Sequence, residues 1–448
     1  MVTFGSILCT DCFPMKYTQP VRMAAEKAGA DHQLHQEGFH PMPMARTALA
    51  VMSLLLTQAQ AAWAEAPAAV APASGAAAQA EAPAEKKADP GPLKIGDRLT
   101  LSGDFRYRHE SNFELDDQPA RNRERIRFRL GLDVKVLDSV TVGTRLRTGN
   151  PEDPKAPHQT LGDGFDSFEL NLDRAFVVYR PGGGKGFWAT GGKFGHPFAV
   201  NPVYGELVWD QDVQPEGVVV GHSFKSLGAV ESLDISIGEY ALLEQSASDV
   251  YAAVGQVSAK IALGESVTLR PAIGYYHYDD PTPDGSGTIL ADNAGNATAD
   301  TDNDSVADAF LSDFHIWDGL LSLTFSGWKV PLILNGEYIS NAGSQDDGDK
   351  GWAAGVAAGK TGAAGDWQAY YQYQVVEQDA VFSVVSQDDF LFSTNFRSHA
   401  AGFRYRLQKP LEVHLWALVA RRDETSPGLT TDSEDFQWRA RLDLNVSF

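Results

Sequence analysis

The sequence predicts an all-β protein, a single antiparallel transmembrane β-barrel of about 16 strands with both termini on the periplasmic side. Three observations lead there. From Leu93 onward, apolar and polar residues alternate with period two. The alternating runs are longer than the roughly 5–6 residues of an average soluble strand and match the ~9–11 that a tilted membrane strand needs. Short and long connections between the runs also alternate along the whole chain.

In chain order, strands are expected near 97–108, 123–136, 140–148, 168–180, 186–195, 216–224, 230–241, 249–263, 266–278, 317–327, 330–340, 351–360, 366–377, 396–407, 410–421 and 434–448. Near the start, Ile126, Phe128, Leu130, Leu132, Val134 and Val136 alternate with Arg125, Arg127, Arg129, Gly131, Asp133 and Lys135. At the end, Trp438, Ala440, Leu442, Leu444, Val446 and Phe448 alternate with Gln437, Arg439, Arg441, Asp443, Asn445 and Ser447. Such a strand presents one apolar and one polar face, because successive side chains point to opposite sides of a sheet.

Short links such as Leu137-Asp138-Ser139, Gly264-Glu265 and Gln408-Lys409 alternate with long ones at 109–122, 149–167, 196–215, 242–248, 279–316, 341–350, 378–395 and 422–433. That places all turns at one rim and all loops at the other, the arrangement of outer-membrane barrels. A soluble sandwich has no reason to sort its loops by length. Trp188, Trp317, Trp328, Trp352, Trp367 and Trp438 fall at or near strand ends, as expected of rings that prefer the membrane interface.

Composition agrees once the alternation is seen. A hydrophobic fraction of 43% with 10% aromatics excludes a wholly disordered chain. The net charge of -22, from 37 basic and 59 acidic residues, excludes nucleic acid as the main partner. The mean hydropathy of -0.25 resembles that of a soluble protein, but a period-two barrel hides its apolar half by alternation. The chain is expected not to be an enzyme, since G-x-S-x-G, H-E-x-x-H and the phosphate-loop pattern are all missing from it.

Residues 1–64 read as an upstream segment plus a signal peptide. Met44-Ala45-Arg46 precedes the apolar run Thr47–Leu56, and Ala62-Trp63-Ala64 supplies a small-x-small cleavage site. Met44 is therefore the expected start and Ala64 the expected last residue removed. Both cysteines, Cys9 and Cys12, lie upstream, so the exported chain has no disulfide. Removal takes Lys16, Arg22, Lys27 and Arg46 together with Asp11, Glu26, Asp31 and Glu37, leaving the net charge unchanged. The Ala/Pro/Glu-rich residues 65–92 read as a periplasmic linker, and 93–448 as the barrel.

A family resemblance rests on four stretches: Leu172–Pro181, Gly192–Phe198, Val208–Gly217 and the segment from Asp379 to Phe390. Together with the terminal Phe448, which resembles the sorting signal of bacterial outer-membrane proteins, they resemble the Gram-negative outer-membrane "putative porin" family. The resemblance implies a passive channel in the outer membrane of a Gram-negative bacterium, without fixing a solute.

A barrel of this size is too wide for side chains to fill, so inward positions decide selectivity. Arg121, Arg123, Arg125, Arg127 and Arg129 share one face of the second strand, and the neighbouring polar faces carry Arg106, Arg108, Arg145 and Arg147. Sheet closure adds Arg439 and Arg441, with Arg404 and Arg406 nearby. Such a basic wall attracts anions unless each arginine is matched by a luminal carboxylate. Loop 196–215 carries Glu206, Asp210 and Asp212, with Glu216 just after it, and folded inward these acids would face the wall across a constriction. Loop 378–395 is a second candidate plug, through Val381, Phe382, Val384, Val385 and Phe390.

No cofactor is expected beyond a calcium ion in loop 279–316, where Asp300, Asp302, Asp304 and Asp308 partly match a calcium loop. Ser305 replaces its turn glycine, and Leu311 stands where a bidentate glutamate belongs. The function expected is diffusion of small hydrophilic solutes and ions, with outer-membrane lipid and small polar or anionic solutes as partners. A homotrimer is compatible with this class. The alternative is a structural barrel holding a partner such as an electron-transfer cytochrome, followed by an outer-membrane hydrolase.

Overall fold

The computed structural model describes residues 93–113, 119–181, 186–205, 207–245, 249–283, 287–345, 347–423 and 435–448. The expected signal peptide and linker lie outside these residues.

Sixteen strands form one closed antiparallel sheet: β1 (Leu99–Phe113), β2 (Arg121–Leu137), β3 (Val140–Arg147), β4 (Asn171–Tyr179), β5 (Gly186–Lys193), β6 (Glu216–Leu227), β7 (Val230–Leu243), β8 (Val250–Ala262), β9 (Val267–Asp279), β10 (Phe314–Phe325), β11 (Leu332–Asn341), β12 (Lys350–Gly359), β13 (Trp367–Val376), β14 (Phe396–Gln408), β15 (Leu411–Arg422) and β16 (Gln437–Ser447). Each pairs with its neighbours in sequence, and β16 returns to β1 in a register running from Asp104↔Ser447 to Phe113↔Trp438. Closure leaves no open sheet edge, the condition for spanning a bilayer with strands. Among the additions are a three-residue strand at Leu93–Ile95 beside β1, a two-residue one at Gln159–Thr160 beside β2, and a short helix, α1 (Gly287–Ala291).

Alternation sets the two faces. Ile235, Ile237, Val257, Ile273, Leu321 and Leu334 stand exposed on the outside. Trp317 and Trp352 ring the loop rim, and Trp328 and Trp367 the turn rim. Trp188 departs from the expected girdle. The β5–β6 register turns it inward against Gly221, where an added Cβ would lie 2.4 Å from the indole, while Phe187 takes the outward place against Tyr179.

β1 runs to Phe113, beyond the expected end at 108. Its apolar alternation lapses after Tyr107, but Arg108, Glu110 and Asn112 pair inward with the polar face of β16 and carry the ladder onward. Interstrand polar pairs, unlike apolar ones, leave no period-two signal in one strand alone.

The seam between first and last strands depends on a close approach. The backbone of Phe448 exchanges two hydrogen bonds with Gly103, at 2.9 and 3.0 Å, and its ring lies where a Cβ on Gly103 would sit, 2.6 Å away. Gly103→Val is expected to overpack this seam and destabilise the barrel by about 1–3 kcal/mol. Urea unfolding in detergent, read by the heat-modifiable electrophoretic mobility of folded barrels, checks this.

Candidate functional site in the barrel lumen

Register converts the inward polar residues into a charge lattice. Across β16, β1 and β2 the rows read Arg439–Asn112–Arg121, Arg441–Glu110–Arg123, Asp443–Arg108–Arg125, Asn445–Arg106–Arg127 and Ser447–Asp104–Arg129. Arg145 follows on β3 and Arg174 beside it on β4. On the other side His414, Trp416 and Arg404 continue the wall. Three of these rows set a carboxylate directly beside an arginine, while Arg106–Arg127, Arg108–Arg125 and Arg145–Arg174 set like charges opposite each other, a destabilising arrangement that the acids of adjacent rows offset.

The pairs are close. Asp443, fully buried, accepts both prongs of Arg108 at 2.7 and 2.9 Å. Glu110, also fully buried, accepts from Arg441 at 2.7 Å and pairs with Arg123. Asp104 bridges Arg127 at 2.9 Å and Arg129 at 2.7 Å. Asp173, left facing inward by a bulge in β4, holds Arg145 and, at 3.3 Å, Arg147. Ion pairs buried this way need hydrogen bonding to offset desolvation; the two-pronged Arg108–Asp443 fork supplies it, whereas Arg123 Nε and Arg147 Nη1 have no hydrogen-bond partner.

Two long loops fold into the lumen against the opposite wall. In loop 194–215, the Gln256 amide grips the backbone of Ala199 at 2.7 and 3.0 Å. Asn201 donates to Glu337 and to Gln372, both at 2.9 Å, while its own carbonyl receives the N–H of Val203 at 2.9 Å. His196 stacks on Trp209 with ring centres 4.5 Å apart. Burial alone holds its imidazole pKa down, at about 3, so it stays neutral there. In loop 377–395, Phe382 packs on Tyr278 and Phe314, and Asp379 anchors Ser312 at 2.6 Å. The loops join where the Asp210 N–H meets the Val385 carbonyl at 2.8 Å and the Tyr204 hydroxyl meets Asp389 at 2.8 Å.

Between this plug and the arginine wall lies a cavity of about 510 Å³. Of the arginines singled out from sequence, Arg106, Arg108, Arg125, Arg127, Arg129, Arg145, Arg404 and Arg441 line it. Four go elsewhere. Arg123 and Arg147 sit in the lattice beside it; Arg439 donates to the carbonyls of Asp388 and Asp389, at 3.2 and 2.6 Å; and Arg406 ties the turn rim through Glu412 at 2.8 Å and the Thr361 and Lys409 carbonyls.

Of the loop acids, Asp212 reaches Arg129 at 3.1 Å and Arg127 at 3.9 Å. Asp210 lines the cavity and braces the loop, its carboxylate receiving the Asp212 N–H at 2.7 Å. Glu216 pairs with Lys193 at 2.7 Å on the exposed outer face, and Glu206 lies outside the described residues.

Sequence reasoning did not single out Arg174, Lys155, His158, Asp388 or Asp389, which line the same cavity. Arg174 had a findable signal, since it sits inside the quoted motif on the inward parity of β4. Asp388 is pushed up to about 6, first by burial and then by the neighbouring Asp389 carboxylate. Asp389 is held low by Arg441, Arg108 and its hydrogen bonds, which outweigh its burial. In the long loop between β9 and β10, Asp300, Asp302 and Asp304 bring carboxylate oxygens within 4.8 Å of one another, but Asp308 turns to Thr301 at 2.7 Å. Backbone N–H groups of the loop already bond to Asp300, at 3.2 and 2.8 Å.

Known proteins agree with this architecture. Residues 114–313 match the family model described as "Putative porin", which bears out the resemblance read from sequence. OprB of Pseudomonas putida shares the fold with a TM-score of 0.52 at 14% identity, over 78% of this chain and 94% of its own. OmpF of Salmonella typhi gives 0.48 at 12% identity, over 79% and 98%. No curated protein matches the chain. The closed sixteen-strand barrel, together with the family match over residues 114–313, supports an outer-membrane channel. Its place is the outer membrane of a Gram-negative bacterium.

Asn201→Ala is expected to release the tip of loop 194–215, leaving buried partners unsatisfied at about 1–3 kcal/mol. Limited proteolysis should then cut within this loop while the unfolding midpoint of the barrel stays close to wild type.

Proposed function

We propose that the channel is non-enzymatic and passes small hydrophilic solutes and ions by diffusion, with a preference for anions. The observation that carries this reading is the lining of the central cavity, nine arginines and a lysine against four aspartates. Such an excess lowers the entry barrier for anions, the more so where low-dielectric walls focus the field. Wall carboxylates outside that lining neutralise part of it, so the preference is graded rather than absolute. The scaffold alternative needs room for a partner, and the packing of loops 194–215 and 377–395 against the inner wall supports the channel instead.

The reading places the turns and both termini in the periplasm, outer-membrane lipid around the two aromatic rims, and a homotrimer as the assembly. Cysteines introduced singly at Ala307 and Gly228 test the orientation. A membrane-impermeant maleimide applied to intact cells should label the first and spare the second. Native mass measurement in nanodiscs tests the trimer.

In a planar bilayer under a potassium chloride gradient, the reversal potential should show anion preference, and Arg404→Gln plus Arg174→Gln should reduce it. A reversal potential of the opposite sign overturns the reading. The preference should also change with pH. Above about pH 6 the Asp388 carboxyl is charged and opposes the arginines; below it the carboxyl is neutral. Anion preference therefore rises as pH falls through this range, and Asp388→Asn should flatten the change. Calcium at Asp300, Asp302 and Asp304 is proposed separately; calorimetry of the whole protein should show binding heat that Asp302→Asn removes.

A further inference from the structure

The charge lattice has a gap. In the rows through Asp104, Glu110 and Asp443, each carboxylate stands directly beside an arginine of a neighbouring strand. The row between Asp104 and Asp443 reads Asn445–Arg106–Arg127 on β16, β1 and β2, with an amide where its neighbours have an acid. Arg127 turns to Asp104 at 2.9 Å. Arg106 is left with the Asn445 amide oxygen at 2.7 Å and stands 3.7 Å from Asp443, whose two oxygens already hold Arg108.

Arg125, its diagonal neighbour across β1 and β2, is similarly short of charge. Its nearest carboxylate is Glu110 at 3.6 Å, and its Nε has no hydrogen-bond partner. His158, brought in by loop 148–170, sits over both. Its Nε2 is 3.5 Å from Arg106 Nη1, and its carbonyl is 3.4 Å from Arg125 Nη2. Lys155, from the same loop, lines the same cavity.

We propose that Arg106 and Arg125, with Lys155 at the rim, form a binding subsite for a small doubly charged oxyanion. Arg106 faces Arg127 and Arg125 faces Arg108 across the β1–β2 ladder, so both stand among like charges with too few carboxylates; an anion held by the two forks supplies the missing charge while taking paired N–H bonds that chloride cannot match in number. Phosphate and a short dicarboxylate share this chemistry. The subsite rests on the anion-passing reading above and names its ligand class. Solutes of this class would then pass by binding and release, saturating where chloride passes freely.

The test is block of chloride current through the purified channel in planar bilayers, with potassium phosphate at pH 8 and potassium succinate as separate probes. A saturable fall in current is expected for wild type. Asn445→Asp fills the gap with an isosteric carboxylate while keeping every arginine, and should raise the half-blocking concentration by about tenfold or more. Arg106→Gln plus Arg125→Gln should do the same, and folding of each variant is checked by heat-modifiable mobility. Block by phosphate alone assigns a tetrahedral anion, and block by succinate alone a carboxylate; either supports the subsite. Absence of saturable block by both probes overturns it, as does unchanged block in folded Asn445→Asp. A wild-type reversal potential that remains anion-preferring in those cases leaves the parent reading standing, whereas a cation-preferring one removes both.

Discussion

The pairing of arginine with carboxylate across neighbouring strands is the constraint on which the rest of the molecule depends. A guanidinium on the inner face of a barrel is permanently charged and cannot escape desolvation by releasing its proton. The register of β16, β1 and β2 meets this by setting Asp443, Glu110 and Asp104 among the arginines. The same register closes the barrel. A slip of one residue along either seam would turn these side chains to the outer face and the apolar ones inward, so the charges that characterise the lumen also fix the closure that creates it.

The lumen is divided unequally. One side is polar and charged; the other is an ordinary hydrophobic core, made by Tyr278, Phe314, Ile316 and Leu418 of the wall with Phe382, Leu207 and Trp209 of the loops. Asn201 and Gln256 fasten the loop backbone, whose buried polar groups need partners. The open space lies where the arginines are because the apolar half has been filled. The two arcs are tied to each other, because Arg439 and Arg441 hold the loop residues Asp388 and Asp389 and Arg129 holds Asp212.

Much of the barrel was legible because period two and loop length are properties of the chain itself. The expected strands coincide with the observed ones to within a few residues at most ends, and the inward parity of Arg125, Arg127 and Arg129 follows from Ile126 and Phe128. What was hidden depends on which residues meet. Asp104 and Asp173 pair with arginines of the next strand, which needs the register of two neighbouring strands, whereas the roles of Asp443 and Glu110 need the closure register, which joins residues more than three hundred positions apart. The inward path of Asp388 and Asp389 was hidden because a loop has no period. Trp188 misled for a related reason: its place at a strand end is visible in sequence, but the parity of a short strand after a glycine-rich turn is not.

The fastening of loop 194–215 has a consequence in time. Its partners Glu337, Gln372 and Asp389 follow Asn201 and Tyr204 by 136, 171 and 185 residues. Contacts of such span form late, since they must await the ordering of all the chain between them. The loop leaves the chain after the fifth strand, but its seat is not complete until β13 and the segment beyond it are in place. The seam between β16 and β1 spans far more, 327 residues between Arg439 and Asn112, so by the same measure the loop reaches its seat before the barrel closes around it.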